Sequence, residues 1–350
     1  MAILQPPVSY ADFGSHPDLS GPYGVACETA ERIEYIARRT GYQNFIGKLN
    51  NSVGIDKKTG IRYAALAGEA PSEVSREEAL VMVTPFSRTL EDTMVTAAYM
   101  QMLANEVGMT DQHGLNLPFY LFGSPMGEAG VNLSPTDRRQ VAKGDMSPIA
   151  RNNLELLRRL LPNVGRVALL GFSYGGAMVA ATGCFAPNID LIVSSMTIGA
   201  PGNAVQQPSS TLLRSFIKER EHTGPYKEDR QAVFQAAEPV RSGSETLRGV
   251  LGQSRTNFVI LRSLAAGRLN ADIIGAHEKV SGLITGVNYG TEDLITYGFN
   301  SSELVDQLPG SNLEVLPFEG ERHGYGHSPH RLGTFVTRNL FIDATQRRKS

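Results

Sequence analysis

Hydrophobic positions along this chain fall into two recurring patterns. Short segments rich in apolar residues appear at Ala79–Thr84, Leu117–Phe122, Val167–Gly171, Ile189–Ile198, Leu283–Tyr289 and Leu313–Pro317. Each has strand length and predicts a strand. Between them lie segments with apolar residues near helical spacing: Leu90–Val107, Pro148–Leu161 and, at the end, Leu332–Phe341. In Leu90–Val107 the apolar positions include Met94, Ala97, Ala98, Met102 and Leu103, and the methionines read as core filling. Strands alternating with helices predict an α/β fold: a mostly parallel central sheet with helices on both faces.

The pattern departs from this alternation twice. Residues 1–26 are rich in Pro, Gly and Ser and read as a surface arm; an amphipathic helix over 28–40 follows, then two strand-like segments, Ser52–Ile55 and Ile61–Leu66, joined by the turn Asp56-Lys-Lys-Thr-Gly60. Between 203 and 280 only helix-like segments occur: Thr211–His222, Asp229–Ala237, Ser244–Leu251 and Asn257–Ala266, the first with an apolar stripe of Leu212, Leu213, Phe216 and Ile217. An insertion after a sheet strand hangs over the carboxyl ends, where ligands bind, so this segment reads as a cap. The expected organisation is an arm, helix and start of a hairpin (1–60), the first part of the core (61–202), a helical cap (203–280), the second part of the core (281–342) and a tail (343–350).

Composition narrows the function. The 350 residues are 41% hydrophobic and 19% charged, with a net charge of −2, which gives no electrostatic footprint for nucleic acid or an anionic membrane. The two cysteines, Cys27 and Cys184, make no disulfide framework. The first residues lack a basic stretch followed by an apolar one, and no run is long enough to cross a bilayer. The expectation is a cytoplasmic protein acting on a small molecule.

The chemistry concentrates at Gly171-Phe-Ser173-Tyr-Gly175-Gly. An apolar strand runs into it, and small apolar residues suited to a helix follow, which is the context of a nucleophile elbow. A serine hydroxyl needs a base within hydrogen-bond reach and an acid that orients the base. Asp293, just past the strand Leu283–Tyr289, is the acid candidate, with its neighbour Glu292 second. His323, just past the strand Leu313–Pro317, is the base candidate, with His327 the alternative. The glycines and proline among His323, His327 and His330 argue against a metal site on one helix face, and no metal or organic cofactor is expected. An oxyanion hole would take one N–H from Tyr174. The other would come from Phe86 or Ser87, since Pro85 has none.

Elbow, cap, an acid after a late strand and His-Gly before the last helix together resemble the α/β-hydrolase superfamily, in its capped lipase- and esterase-like branch. The resemblance covers roughly residues 60–342. It implies Ser173 as nucleophile, Asp293 as acid, His323 as base, and Phe86 and Tyr174 as oxyanion donors. The expected function is therefore a serine hydrolase acting on an ester or related acyl bond, most simply a carboxylic ester hydrolase. A non-catalytic interaction protein on the same fold is the alternative, as are acyltransferase, thioesterase, carbon–carbon hydrolase and cofactor-free peroxidase. One departure stands out: Thr84-Pro85 occupies the place of the His-Gly that usually precedes the oxyanion donor.

Overall fold

A computed structural model describes residues 50–67, 77–85, 90–123, 133–221, 254–296, 301–308, 312–327 and 329–348, together with Arg32, Ile33, Tyr35, Arg39 and Phe299. Most of the N-terminal arm and the expected helices at Asp229–Ala237 and Ser244–Leu251 lie outside the described residues. Eight strands, β1 (Asn50–Ile55), β2 (Arg62–Ala67), β3 (Glu78–Val83), β4 (Phe119–Phe122), β5 (Arg166–Phe172), β6 (Ile192–Gly199), β7 (Ile284–Gly290) and β8 (Asn312–Phe318), form one sheet in the order β1-β2-β4-β3-β5-β6-β7-β8. Only β2 runs against the others; every pair from β4 to β8 is parallel.

The hairpin at one edge follows from its turn. Asp56 Oδ2 accepts from the Thr59 N–H at 2.7 Å, and Gly60 takes the left-handed conformation (φ 71°) that turns the chain back. In the middle of the sheet, alternate residues of each strand feed opposite cores. Leu80 and Met82 of β3 and Ala168 and Leu170 of β5 join the core under α1 (Leu90–Glu106) and the C-terminal helix. Ala79, Val81 and Val83, with Val167 and Leu169, join the opposite core. Burial on both faces explains why these strands are continuously apolar in sequence.

The chain leaves β3 for β4 on one side and returns to β5 on the other. The carboxyl ends of β3 and β5 therefore flank a topological switch point, where a crevice opens. The intervening helices are α2 (Pro135–Val141) and α3 (Ser147–Leu160). Helix α2 is absent from the sequence expectation. It is nucleated by a capping box: Ser134 Oγ accepts from the Asp137 N–H at 3.1 Å, and Asp137 Oδ2 accepts from the Ser134 N–H at 3.3 Å.

After β5 comes α4 (Tyr174–Phe185), buried over most of its length. Strand β6 begins at Ile192, later than the apolar run suggests. A 3-10 turn carrying Pro187 and a left-handed Asp190 (φ 55°) occupy the first part of that run. Three described helices follow β6: α5 (Ser209–Glu221), α6 (Ser254–Leu264) and α7 (Leu269–Lys279). Helix α7 buries Leu269, Ile273 and Ala276, at helical spacing, and packs on α4. Helix α8 (Ser301–Gln307) links β7 to β8, and α9 (Pro329–Arg347) closes the fold. Among the described residues no helix is long and apolar enough to cross a membrane.

Candidate active site

Strand β5 delivers Ser173 to the crevice in a conformation that L-residues rarely adopt, with φ 55° and ψ −123°. Three backbone hydrogen bonds hold it there. Its N–H donates to the Gly199 carbonyl at 2.8 Å, and its carbonyl accepts from the N–H groups of Gly176 and Gly202, both at 3.0 Å. The flanking glycines are required by close approach. A Cβ at Gly171 would collide with the Gly175 carbonyl, and one at Gly175 with the carbonyl of Val83 in β3. The backbone strain is thus over-determined by its surroundings, and it lifts the hydroxyl away from the strand at the start of α4.

The hydroxyl meets an imidazole. His323 Nε2 lies 2.9 Å from Ser173 Oγ, and His323 Nδ1 lies 2.8 Å from Asp293 Oδ2. A carboxylate can only accept, so Nδ1 carries the proton and Nε2 is left as the acceptor facing the serine. Asp293 sits in the turn that ends β7. Its Oδ1 accepts from the N–H groups of Ile295 at 2.8 Å and Thr296 at 3.2 Å, and its side chain is 0% exposed. Its neighbour Glu292 is elsewhere: 57% exposed and paired with Arg322 at 3.5 Å. His327 lies in the same 3-10 turn as His323, His323–His327, but its side chain is outside the described positions.

The imidazole is fixed from several sides. Phe172 packs against it with centroids 5.6 Å apart, and Phe216 of α5 meets it edge-on at 6.4 Å. Two residues along the turn, the Tyr325 hydroxyl accepts from the Ala200 N–H at 2.6 Å and faces both the carbonyl and the Oδ1 of Asn288 at 3.1 Å. Tyr325 thereby ties the turn bearing His323 to the ends of β6 and β7. Burial pushes the His323 imidazole down, but the charge and hydrogen bond of Asp293, aided by the charge of Glu219, outweigh it. The net effect holds His323 above its ordinary value.

Glu219 is the residue that sequence reasoning missed. It lies on α5, is 7% exposed, and its Oε1 accepts from the N–H of Leu294 at 2.8 Å, next to the acid of the site. The signal was present: Leu212, Phe216 and Glu219 fall on one helical face, so a carboxylate sits at the end of an inward stripe. The stripe expected from the sequence is corrected accordingly. Leu212 is buried and Phe216 half-buried, whereas Leu213 and Ile217 face outward.

The candidate oxyanion donors are less evenly placed. Tyr174 supplies the first N–H of α4, with its ring buried beneath the site, and its hydroxyl lies 3.6 Å from Met146 Sδ. Thr84 and Pro85 are buried at the end of β3, while Phe86 and Ser87 lie outside the described residues. Among the described residues, no three His, Cys, Asp or Glu side chains are grouped to hold a metal ion.

No family model matches the chain, and no curated protein matches it in sequence. Solved structures do match in shape. A peroxisomal α/β-hydrolase from Saccharomyces cerevisiae aligns with a TM-score of 0.54 at 11% identity, over 85% of this chain and 86% of that one. A structure described as a putative lipase from Acinetobacter baumannii aligns with a TM-score of 0.49 at 11% identity, over 84% and 90% of the two chains. The strand order, the single reversed strand β2 and the first of these likenesses give the chain the α/β-hydrolase fold.

Proposed function

We propose that this protein is a serine hydrolase that cleaves an ester or related acyl bond through an acyl-enzyme on Ser173. The observation that carries the reading is the continuous hydrogen-bonded line Ser173–His323–Asp293, set at a strained strand-to-helix turn. In the proposed mechanism His323 Nε2 takes the hydroxyl proton as Ser173 Oγ attacks the acyl carbon. The carbonyl electrons move onto the oxygen, which the N–H of Tyr174 and a second donor, Phe86, would receive. Collapse of this intermediate breaks the bond to the leaving group, and His323 gives it the proton. Water then repeats the sequence and releases the acid. Asp293 holds the imidazole in the required tautomer and stabilises its charged form.

The substrate is read as a small acyl compound, with residues 203–280 as the cap over it. Phe216 supports this placement, since it brings α5 against the imidazole. The test is labelling by a fluorophosphonate probe followed by intact mass, with Ser173→Ala beside the wild type. One adduct on the wild type and none on the variant is the expected result. A folded wild type that takes no adduct would overturn the reading.

A further inference from the structure

We infer that Glu219 is a positioning residue of this site: it ties helix α5 to the loop bearing Asp293, and its negative charge stabilises the protonated form of His323. The inference rests on the proposed role of Ser173, His323 and Asp293. Two independent observations converge on it. The first is the bond from the Leu294 N–H to Glu219 Oε1, which anchors a long side chain beside the acid. The second is that Glu219 Oε2 is buried and, among the described residues, has no hydrogen-bond partner. A buried charge with one free oxygen projects its field further than a solvated one.

The charged surroundings decide the direction. The loop after β7 presents Asp293 and, further out, Glu292. The loop after β8 presents Glu321, Arg322 and His323. Helix α6, which packs on α5, contributes Arg262, whose guanidinium lies over the ring of Phe258, and α5 itself carries Lys218. Burial is the largest influence on the Glu219 carboxyl and holds it above its ordinary value; the Leu294 bond, His323 and Arg322 oppose the rise, and Asp293 adds to it. Glu219 and Asp293 therefore act on the imidazole with the same sign, one in direct contact and one from the helix above. A side chain that merely filled space on α5 would have no such effect.

The experiment separates charge from contact. Glu219→Gln keeps an oxygen for the Leu294 N–H and removes the charge. Glu219→Asp keeps the charge and shortens the arm. Histidine Cε1 resonances are titrated by NMR in wild type and both variants, with His323 assigned from the spectrum of His323→Gln. The expected result is a lower His323 midpoint in Glu219→Gln and a wild-type midpoint in Glu219→Asp. Fluorophosphonate inactivation is followed in parallel. At pH 6 Glu219→Gln should react about threefold faster than wild type, each relative to its own plateau, because more of its base is neutral. Glu219→Asp should have a plateau lowered several-fold by the lost contact.

His323 midpoints that coincide in wild type and Glu219→Gln would overturn the inference. So would the reverse order, in which Asp moves the midpoint and Gln does not. A wild type that shows the NMR shift in Glu219→Gln but takes no adduct would leave the Glu219 inference standing and overturn the hydrolase reading instead.

Discussion

His323 Nδ1 donates to Asp293 Oδ2 at 2.8 Å, while the other oxygen of Asp293 is already occupied by the N–H groups of Ile295 and Thr296. The carboxylate therefore accepts on both sides, and an amide cannot take its place without presenting an NH₂ to one set of donors. Asp293→Asn should fold, since it is isosteric, yet leave His323 in the wrong tautomer. Hydrolysis at neutral pH should drop by about 10⁴-fold. Turnover of an activated ester, compared at equal far-UV circular dichroism, checks this. A loss under tenfold would mean that Asp293 does not orient the base.

The pH dependence follows from the same contact. Interaction with Asp293 and Glu219 outweighs burial and holds His323 above the ordinary 6.5 of an imidazole. A general base works only when neutral, so activity is lost as pH falls through this raised value. The acid limb of kcat/KM should therefore have its midpoint above 6.5. A limb at or below that value would place the controlling proton on another group.

Strands β3 and β5 are legible in the sequence because burial on both faces makes them apolar nearly throughout. Strand β7 and the partly exposed edge strand β8 carry Thr285, Asn288 and Glu314, and they are legible, with the loops that carry Asp293 and His323, from the alternation of strands and helices. What was hidden has a physical cause in each case. Helix α2 is short and polar, and it is held by its Ser134–Asp137 cap, so no apolar periodicity announces it. Tyr325 acts by bonding to Ala200 and Asn288, residues distant in sequence, which no local pattern encodes. Glu219 stands on a helix whose sequence offers two apolar positions, Leu213 and Ile217, on another face, and only the packing of α5 turns the Leu212–Phe216–Glu219 face toward the imidazole.

Gly175 tests how tightly the elbow is built. A methyl group there would press on the Val83 carbonyl, a backbone atom held in the centre of the sheet, which cannot yield as a flexible side chain would. Gly175→Ala should cost about 2–4 kcal/mol of stability. It should also slow fluorophosphonate labelling, because the strain would be relieved by shifting Ser173. Urea denaturation and labelling rates measure the two effects. Wild-type values for both would mean that the elbow has room the geometry denies it.

Tyr325→Phe removes one oxygen and nothing else. It removes the hydroxyl's bonds to the Ala200 N–H and to Asn288, at a cost of about 0.5–1.5 kcal/mol, since the Ala200 N–H still donates to the Asn288 carbonyl at 2.8 Å. It also frees the turn bearing His323 from the ends of β6 and β7. The expected outcome is a lower melting temperature and a lower kcat with KM little changed, since the substrate does not touch this hydroxyl. A reduced melting temperature with unaltered kcat would confine Tyr325 to stability.

Asp272 provides a prediction away from the site. It stands in the first turn of α7, where the helix dipole favours a negative charge, but its Oδ2 is buried and has no partner among the described residues. Burial dominates and pushes the carboxyl up to about 7. Arg268 and Lys279 oppose the shift, and Asp145 adds to it. The sign follows from proton counting. Between the unfolded value, 3.8, and about 7 the folded state holds a proton that the unfolded chain has released, so raising the pH through this window weakens folding. Asp272→Asn carries no such proton. Its stability relative to wild type should therefore rise with pH and level off above about 7, by roughly 2.6 kcal/mol between pH 5 and pH 8. Urea denaturation of both proteins from pH 5 to 8 isolates this term, because contributions shared by the two, His323 included, cancel in the difference. A difference that stays flat across the range would mean that Asp272 is ionised and solvated in the folded protein.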